Sequence, residues 1–231
     1  MKKSRMSIVG LIAALMLWMS CAPAWAAQAE VKRYDADARI QNLRIEVSDR
    51  KIVVQPSADE RIHLGYSETG QDFYEISVQD GDTLVVESKT NKKWYDYIGF
   101  KADESERTLT LEHARTVILQ VPQTSLETLQ LSTTNEDIEL PEMSLGEKVS
   151  VKVNNGDIRL ERLDAGQEIH LETKNGSITG ALEGGYDDYD ITAQVKEGDS
   201  NLPERKEGGT KKLNVYVNNG DIRLEMDPAE G

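Results

Sequence analysis

Apolar residues alternate with polar ones in short runs along most of this chain, and many of the runs are separated by Asn-Gly or Asp-Gly pairs. The clearest unit spans Val149 to Leu160. Val149, Val151 and Val153 alternate with Ser150 and Lys152, Asn154-Asn155-Gly156-Asp157 intervenes, and Ile158, Arg159 and Leu160 resume the alternation. A period of two with one apolar face is that of a half-buried strand. Asn-Gly suits a position of positive φ, because glycine lacks the Cβ that clashes there and asparagine tolerates the left-handed region. The unit therefore reads as strand, tight corner, strand.

The pattern recurs in register. Leu129, Leu131 and Thr133 precede Thr134-Asn135-Glu136-Asp137 and Ile138, and Ile169, Leu171 and Thr173 precede Lys174-Asn175-Gly176-Ser177 and Ile178. Ile191, Ala193 and Val195 precede Lys196-Glu197-Gly198-Asp199, Ser200 and Leu202. Leu213, Val215 and Val217 with Asn218-Asn219-Gly220-Asp221, Ile222 and Leu224 nearly copy the first unit. Glu136, Gly156, Gly176, Gly198 and Gly220 then fall 20, 20, 22 and 22 residues apart, which is an internal repeat.

Toward the N-terminus Leu43, Ile45 and Val47, the turn Ser48-Asp49-Arg50, and Ile52 and Val54 give the same pattern with Arg50 in the glycine position. Strands are also predicted at Ile62–Tyr66, at Tyr74–Val78, at Leu84–Val86 after the turn Gln79-Asp80-Gly81-Asp82, and through Leu109, Leu111, Val117, Leu119 and Val121 to Pro122. No helical period competes with them, so the chain is all-β. Either each corner joins two antiparallel strands, giving a β-sandwich, or each unit is one coil of a β-solenoid of roughly 20-residue repeats, a single-stranded β-helix. The solenoid is favoured, because similar residues fill the same inward position unit after unit, as parallel strands stacked about 4.8 Å apart require.

Composition changes the picture at the N-terminus. Lys2, Lys3 and Arg5 precede an apolar run from Met6 to Met19, and Ala24-Trp25-Ala26 supplies a small-x-small cleavage site. Residues 1–26 are read as a signal peptide, 27–37 as a short tether and 38–231 as one domain, which makes the protein exported, extracellular or envelope-associated. Cys21, the only cysteine, follows Trp18-Met19-Ser20, a poor lipobox; lipidation there or an uncleaved leader are the two routes to a membrane. Without the leader the formal charge moves from −14 to −17, which argues against electrostatic binding of nucleic acid or an anionic membrane.

Catalytic signals are weak, and no catalytic residue is assigned. His63 and His170 occupy polar strand positions and are expected at the surface, as is His113, with no carboxylate at ligand spacing. Asp137 and Asp157 would meet on adjacent coils as an acid pair, yet acids after Asn-Gly corners are explained by turn preference. Calcium at the corners is a minor alternative to the absence of any cofactor or metal, because the repeat is near twenty residues and not the nine of calcium-binding glycine-rich repeats. Tyr186-Asp187-Asp188-Tyr189-Asp190 reads as a solvated loop.

Two interruptions remain. Pro203–Thr210 is polar and glycine-rich and is expected to be an exposed loop. The segment 90–107 carries Trp94, Tyr95, Tyr97 and Phe100, which form either a binding site for a protein or glycan or a cap on the end of the solenoid. The residues Asn135, Asn155, Gly156, Asn175, Gly176, Gly198, Asn219 and Gly220 are assigned as structural corners.

The succession L-R-I-E-V, K-I-V-V-Q-P, an aromatic insert, V-I-L-Q-V-P, repeated N-G-D-I or N-G-S-I corners, Y-D-I-T-A-Q-V with G-D-S-N-L-P, and L-N-V-Y-V-N-N-G-D-I-R-L resembles the bacterial putative-adhesin domain of unknown function found in LiaG-like envelope proteins. The resemblance covers roughly Ala38 to Leu224. It implies a right-handed β-solenoid at the bacterial cell surface with no established catalytic residues, and it suggests an envelope-stress sensor or regulator as one alternative. The chain itself reads as a non-enzymatic, adhesin-like interaction or structural module, with a glycan-binding or polysaccharide-active protein as the alternative that β-solenoids in general suggest. Glu136 and Lys196-Glu197-Gly198 depart from the pattern and argue against an unbroken asparagine ladder.

Overall fold

The computed structural model describes residues 30–36, 39–69, 71–91, 115–122 and 125–227. Its N-terminal strands are β1 (Glu30–Asp35), β2 (Asn42–Glu46), β3 (Lys51–Pro56), β4 (His63–Glu68), β5 (Asp72–Gln79), β6 (Thr83–Thr90) and β7 (Thr116–Val121). The middle of the chain forms β8 (Thr128–Thr133), β9 (Ile138–Leu140), β10 (Met143–Leu145), β11 (Lys148–Asn155), β12 (Ile158–Ala165), β13 (Glu168–Asn175) and β14 (Ile178–Glu183). A 3-10 turn at Tyr186–Asp188 leads into β15 (Tyr189–Glu197), β16 (Arg205–Lys206), β17 (Lys211–Asn219) and β18 (Ile222–Asp227).

Each corner sends the chain from one nine-stranded sheet to another. Sheet A runs β1-β4-β7-β3-β9-β12-β14-β18, with β10 beside β12, and sheet B runs β16-β15-β17-β13-β11-β8-β2-β6-β5. Neither sheet closes on itself, and both turn their apolar residues into one core. Like residues stack as a solenoid requires: Val149 lies between Leu129 and Ile169, and Ile158 between Ile138 and Ile178. Among the described residues antiparallel pairs occur only toward the ends of the sheets, where β4 pairs with β1 and β7, β5 with β6, and β15 with β16.

The coils do not stack in the order of the chain. β2 and β3 lie inside β6 and β7, and β17 and β18 lie inside β15. The coil nearest in sequence to Leu213–Leu224 is therefore not its only neighbour: β17 sits between β13 and β15, and β18 against β14. This accounts for the near-identity of Val149–Leu160 and Leu213–Leu224, since both coils pack against the same coil, β13 and β14, from opposite sides.

Three sequence expectations need correction. Most of the tether is strand β1, an antiparallel edge of sheet A. Ser200 makes only an isolated bridge to Ile222, so the fourth repeat lacks a second strand. Tyr189 belongs to the core and not to a solvated loop: it is fully buried, its hydroxyl donates to the Glu183 carbonyl at 2.5 Å, and burial pushes its phenol well above the usual range. The leader, Cys21, Leu109, Leu111 and His113 lie outside the described residues.

Candidate functional site

The corners carry two ladders. Asn155 donates its amide to Oδ1 of Asn135 at 2.5 Å, Asn175 to Asn155 at 2.6 Å and Asn219 to Asn175 at 2.5 Å, while Asn135 donates to Asp49. The asparagine ladder thus runs unbroken from Asn135 to Asn219, against the sequence expectation. Glu136 replaces the glycine and leaves Asn135 in place, and Lys196-Glu197-Gly198 lies beyond the last rung. Positive φ falls on the glycines, at 151° for Gly156 and 148° for Gly176, and in the first coil on Asp49 rather than Arg50. Close stacking imposes a second demand: a Cβ on Gly176 would stand 2.1 Å from the Gly156 carbonyl oxygen.

The residue after each glycine forms the second ladder. Asp137 accepts the Asp157 N–H at 2.8 Å, Asp157 accepts that of Ser177 at 2.8 Å, and Asp221 accepts that of Asp199 at 3.0 Å. Arg159 bridges the carboxylates of Asp137 and Asp157. Burial raises the Asp137 pKa, but Arg159 and the Asp157 N–H outweigh it and hold the group below the usual carboxylate range. The acid pair does meet on adjacent coils, as the spacing predicted, and there it serves as a neutralised backbone acceptor. Among the described residues no three acids, histidines or cysteines converge to hold a metal ion.

The outer face of sheet B is an array of side chains set by the parallel register. Gln130, Ser150, His170, Asn214 and Thr192 share one row, and Ser132, Lys152, Glu172, Tyr216 and Gln194 the next. His170 and Tyr216 pack with ring centroids 5.6 Å apart, and Lys148 and Lys152 pair with Glu168 and Glu172 at 2.8 and 3.2 Å. Asn214 donates to Glu168 at 3.0 Å. The hydrogen bond from Lys148 holds Glu168 below its ordinary pKa, while burial raises Glu172 and the bonds from Lys152 and His170 more than reverse it. His170 is half-buried on this face, close to the surface position expected of it. Tyr216 carried no sequence signal, because its pairing with His170 depends on β17 lying beside β13.

His63 differs from expectation. It does occupy the outward phase of β4, yet it is only 8% exposed. Its Nδ1 lies 2.5 Å from Asp35 on β1, and its Nε2 lies 2.7 Å from Asp59 in the turn after β3. Arg33 holds Asp35 at 2.7 Å, while Asp59 accepts from Ser57 at 2.9 Å. Two carboxylates on two ring nitrogens require a doubly protonated ring. The bonds from Asp59 and then Asp35 raise the His63 pKa, and burial opposes them without reversing the direction. In turn the Arg33 bond leads in lowering Asp35, and the His63 bond in lowering Asp59. With neither nitrogen free to exchange a proton with a substrate, the arrangement is a clasp, unlike a nucleophile-activating dyad. The expectation that no carboxylate partners His63 is thereby corrected: Asp59 stands four residues before it, and the β1–β4 pairing brings Asp35 to the same ring.

The polar loop 203–210 is largely exposed, as expected, and also covers an edge. β16 pairs with β15, Gly209 donates to Asp190 at 2.9 Å, and Lys206 donates to the Tyr189 carbonyl at 2.9 Å. Trp94, Tyr95, Tyr97 and Phe100 lie outside the described residues, in the connection from β6 to β7.

A family model described as Toastrack DUF4097 matches residues 40–145 and again residues 118–227. Among solved structures, a putative cell adhesion protein from Clostridium sporogenes is similar over 86% of this chain and 100% of its own, at 12% identity and a TM-score of 0.49. A putative adhesin from Bacteroides fragilis covers 86% of this chain and 97% of its own, at 11% identity and a TM-score of 0.37. Another from Parabacteroides distasonis covers 85% and 98%, at 8% identity and a TM-score of 0.30. No curated protein matches the chain.

Proposed function

The chain belongs to the Toastrack DUF4097 family, and from that premise we propose that it is an exported, non-enzymatic interaction module of the bacterial envelope that presents the outer face of sheet B to a surface partner. The observation that carries the reading is the register of sheet B, which places His170, Asn214 and Tyr216 beside the two lysine–glutamate pairs on one face. Rigid elements place such groups more accurately than loops do. The leader sequence supports export, and the reading uses neither catalytic group nor cofactor.

A second reading, glycan binding, is favoured by the His170–Tyr216 pair. An aromatic surface flanked by amide and carboxylate groups can stack on a sugar ring while bonding its hydroxyls. Binding of the full chain to isolated envelopes and to a glycan array tests both. A double variant H170A/Y216A should lose binding, while R223Q on sheet A should keep it. Binding that survives H170A/Y216A at full strength removes the sheet B face from the reading. In that event Trp94→Ala tests the aromatic segment as the site.

A further inference from the structure

We propose that Asp35, His63 and Asp59 form a proton-operated latch that holds the N-terminal strand β1 on the solenoid and loosens it when the ring loses a proton. The latch is independent of the partner and of the face that binds it.

The geometry sets the argument. β1 is the edge strand of sheet A and the first described element of the chain, so its attachment governs how residues 30–36 are held on the domain. Asp35 stands directly opposite His63 in the β1–β4 register, at the end of the strand nearest the domain. The other end is tied by Lys32 to Glu68 at 2.5 Å, a pair that does not titrate near neutrality. The turn that supplies Asp59 is built for the purpose. Asp59 accepts from Ser57 and from the Arg61 N–H as well as from the ring, and Glu60 adopts a positive φ of 57°.

Charged and polar groups reach the ring from three elements. From β1 these are Asp35 and Arg33, whose Nη2 lies 3.0 Å from Nδ1. From the turn come Asp59, and Arg61, whose guanidinium reaches the Ala36 carbonyl at 3.4 Å. From β7 comes the uncharged Gln120, the register partner of His63. When the ring is charged, both carboxylates accept from it. When one proton leaves, one carboxylate faces a ring lone pair; if that side is Nδ1 the charged bond to Asp35 is lost, and β1 keeps only the weaker contact in which Arg33 Nη2 donates to that nitrogen.

The sign follows. The His63 pKa is raised in the folded state, so its contribution is complete below the ordinary value of 6.5 and is lost as pH climbs through the raised one. Asp35 and Asp59 are lowered, so their share persists until pH falls below about the ordinary carboxylate range. The latch is shut in mildly acidic surroundings and slackens toward alkaline ones.

Amide hydrogen exchange on the full chain, corrected for intrinsic rates, tests this between pH 5.5 and 8.5. Protection of the β1 amides should fall severalfold relative to those of β13. His63→Gln should give low β1 protection that does not vary with pH, and Asp59→Asn should reduce the variation while retaining the fold. The His63 ring resonances should titrate with a midpoint above 6.5. A wild-type β1 whose protection relative to β13 is the same at both ends of the range overturns the proposal, as does a His63 midpoint at or below 6.5. The wild-type titration decides the matter even if His63→Gln does not fold.

Discussion

Asn219 donates its side-chain amide to Oδ1 of Asn175 at 2.5 Å, although three whole strands, β14, β15 and β16, lie between them in the chain. The bond exists because the last coil is inserted next to β13 and not added at the end of the stack. Asn155 stands mid-ladder, donating to Asn135 and accepting from Asn175. Asn155→Asp keeps the acceptor, removes the donor and sets oxygen against oxygen at Asn135. The expected loss is about 1–2 kcal/mol, the worth of a hydrogen bond plus an unsatisfied partner at an exposed site, read from the urea midpoint. Asn154→Asp, one residue away and off the ladder, should change stability by less than about 0.5 kcal/mol.

Glycine at the corners answers to two constraints, and two alanine substitutions separate them. Gly81, in the β5–β6 hairpin, has φ 87° with open space around its missing Cβ, so Gly81→Ala should cost only the left-handed backbone, about 1–2 kcal/mol. Gly176 has φ 148° and a carbonyl oxygen 2.1 Å from where a Cβ would sit. Gly176→Ala must therefore also push two coils apart. Its cost should exceed that of Gly81→Ala by on the order of 2 kcal/mol or more in thermal or chemical unfolding. Equal costs would mean that the coils can separate freely at the corner.

The alternation of apolar positions made the strands on either side of each corner legible, because period two is a local property of the backbone that each sequence run carries by itself. Coil order was not legible for the same reason that the repeat was. Leu129, Val149, Ile169, Leu213 and Ile191 all present a similar branched apolar side chain inward, so the pattern says that coils stack without saying which touches which. The error carried over to the face of sheet B, where the His170–Tyr216 pair is a product of coil order. β1 was missed because an edge strand with Lys32 and Arg33 in its middle lacks the alternation that a core-facing run shows. His63 was placed on the correct face, but its burial depends on a turn folding over it from outside the strand.

Acid should weaken the corner carboxylates in a defined window. Asp137 is held below its ordinary value of 3.8 by Arg159 and the Asp157 N–H against the effect of burial, and Asp221 by the Asp199 N–H and then Arg223. Groups with lowered folded pKa values stabilise the fold fully above the unfolded value and lose that contribution as pH falls through the folded one. Denaturation midpoints should accordingly be flat near pH 5–6 and fall below about pH 4. Arg159→Gln should lower the plateau and make the acid limb shallower. An acid limb unchanged by Arg159→Gln would show that the Asp137 contribution comes from elsewhere.

The C-terminal edge of sheet A is guarded by one side chain. Asn201 donates from Nδ2 to the Leu224 carbonyl at 2.8 Å and accepts the Leu224 N–H at Oδ1 at 3.0 Å, while its own N–H reaches the Ile222 carbonyl at 3.1 Å. The amide thus imitates a further strand exactly where the fourth repeat fails to supply one. An unpaired edge with apolar residues alternating behind it is a template for another strand. Asn201→Ala should free the Leu224 backbone groups, cost about 1–2 kcal/mol and promote association through the bared edge of β18. Sedimentation velocity across a concentration series should then show the variant associating under conditions where the parent chain does so less. Asn201→Asp retains the acceptor but not the donor and should fall between the two. If Asn201→Ala sediments as the parent does at every concentration, the side chain contributes stability to β18 without protecting its edge.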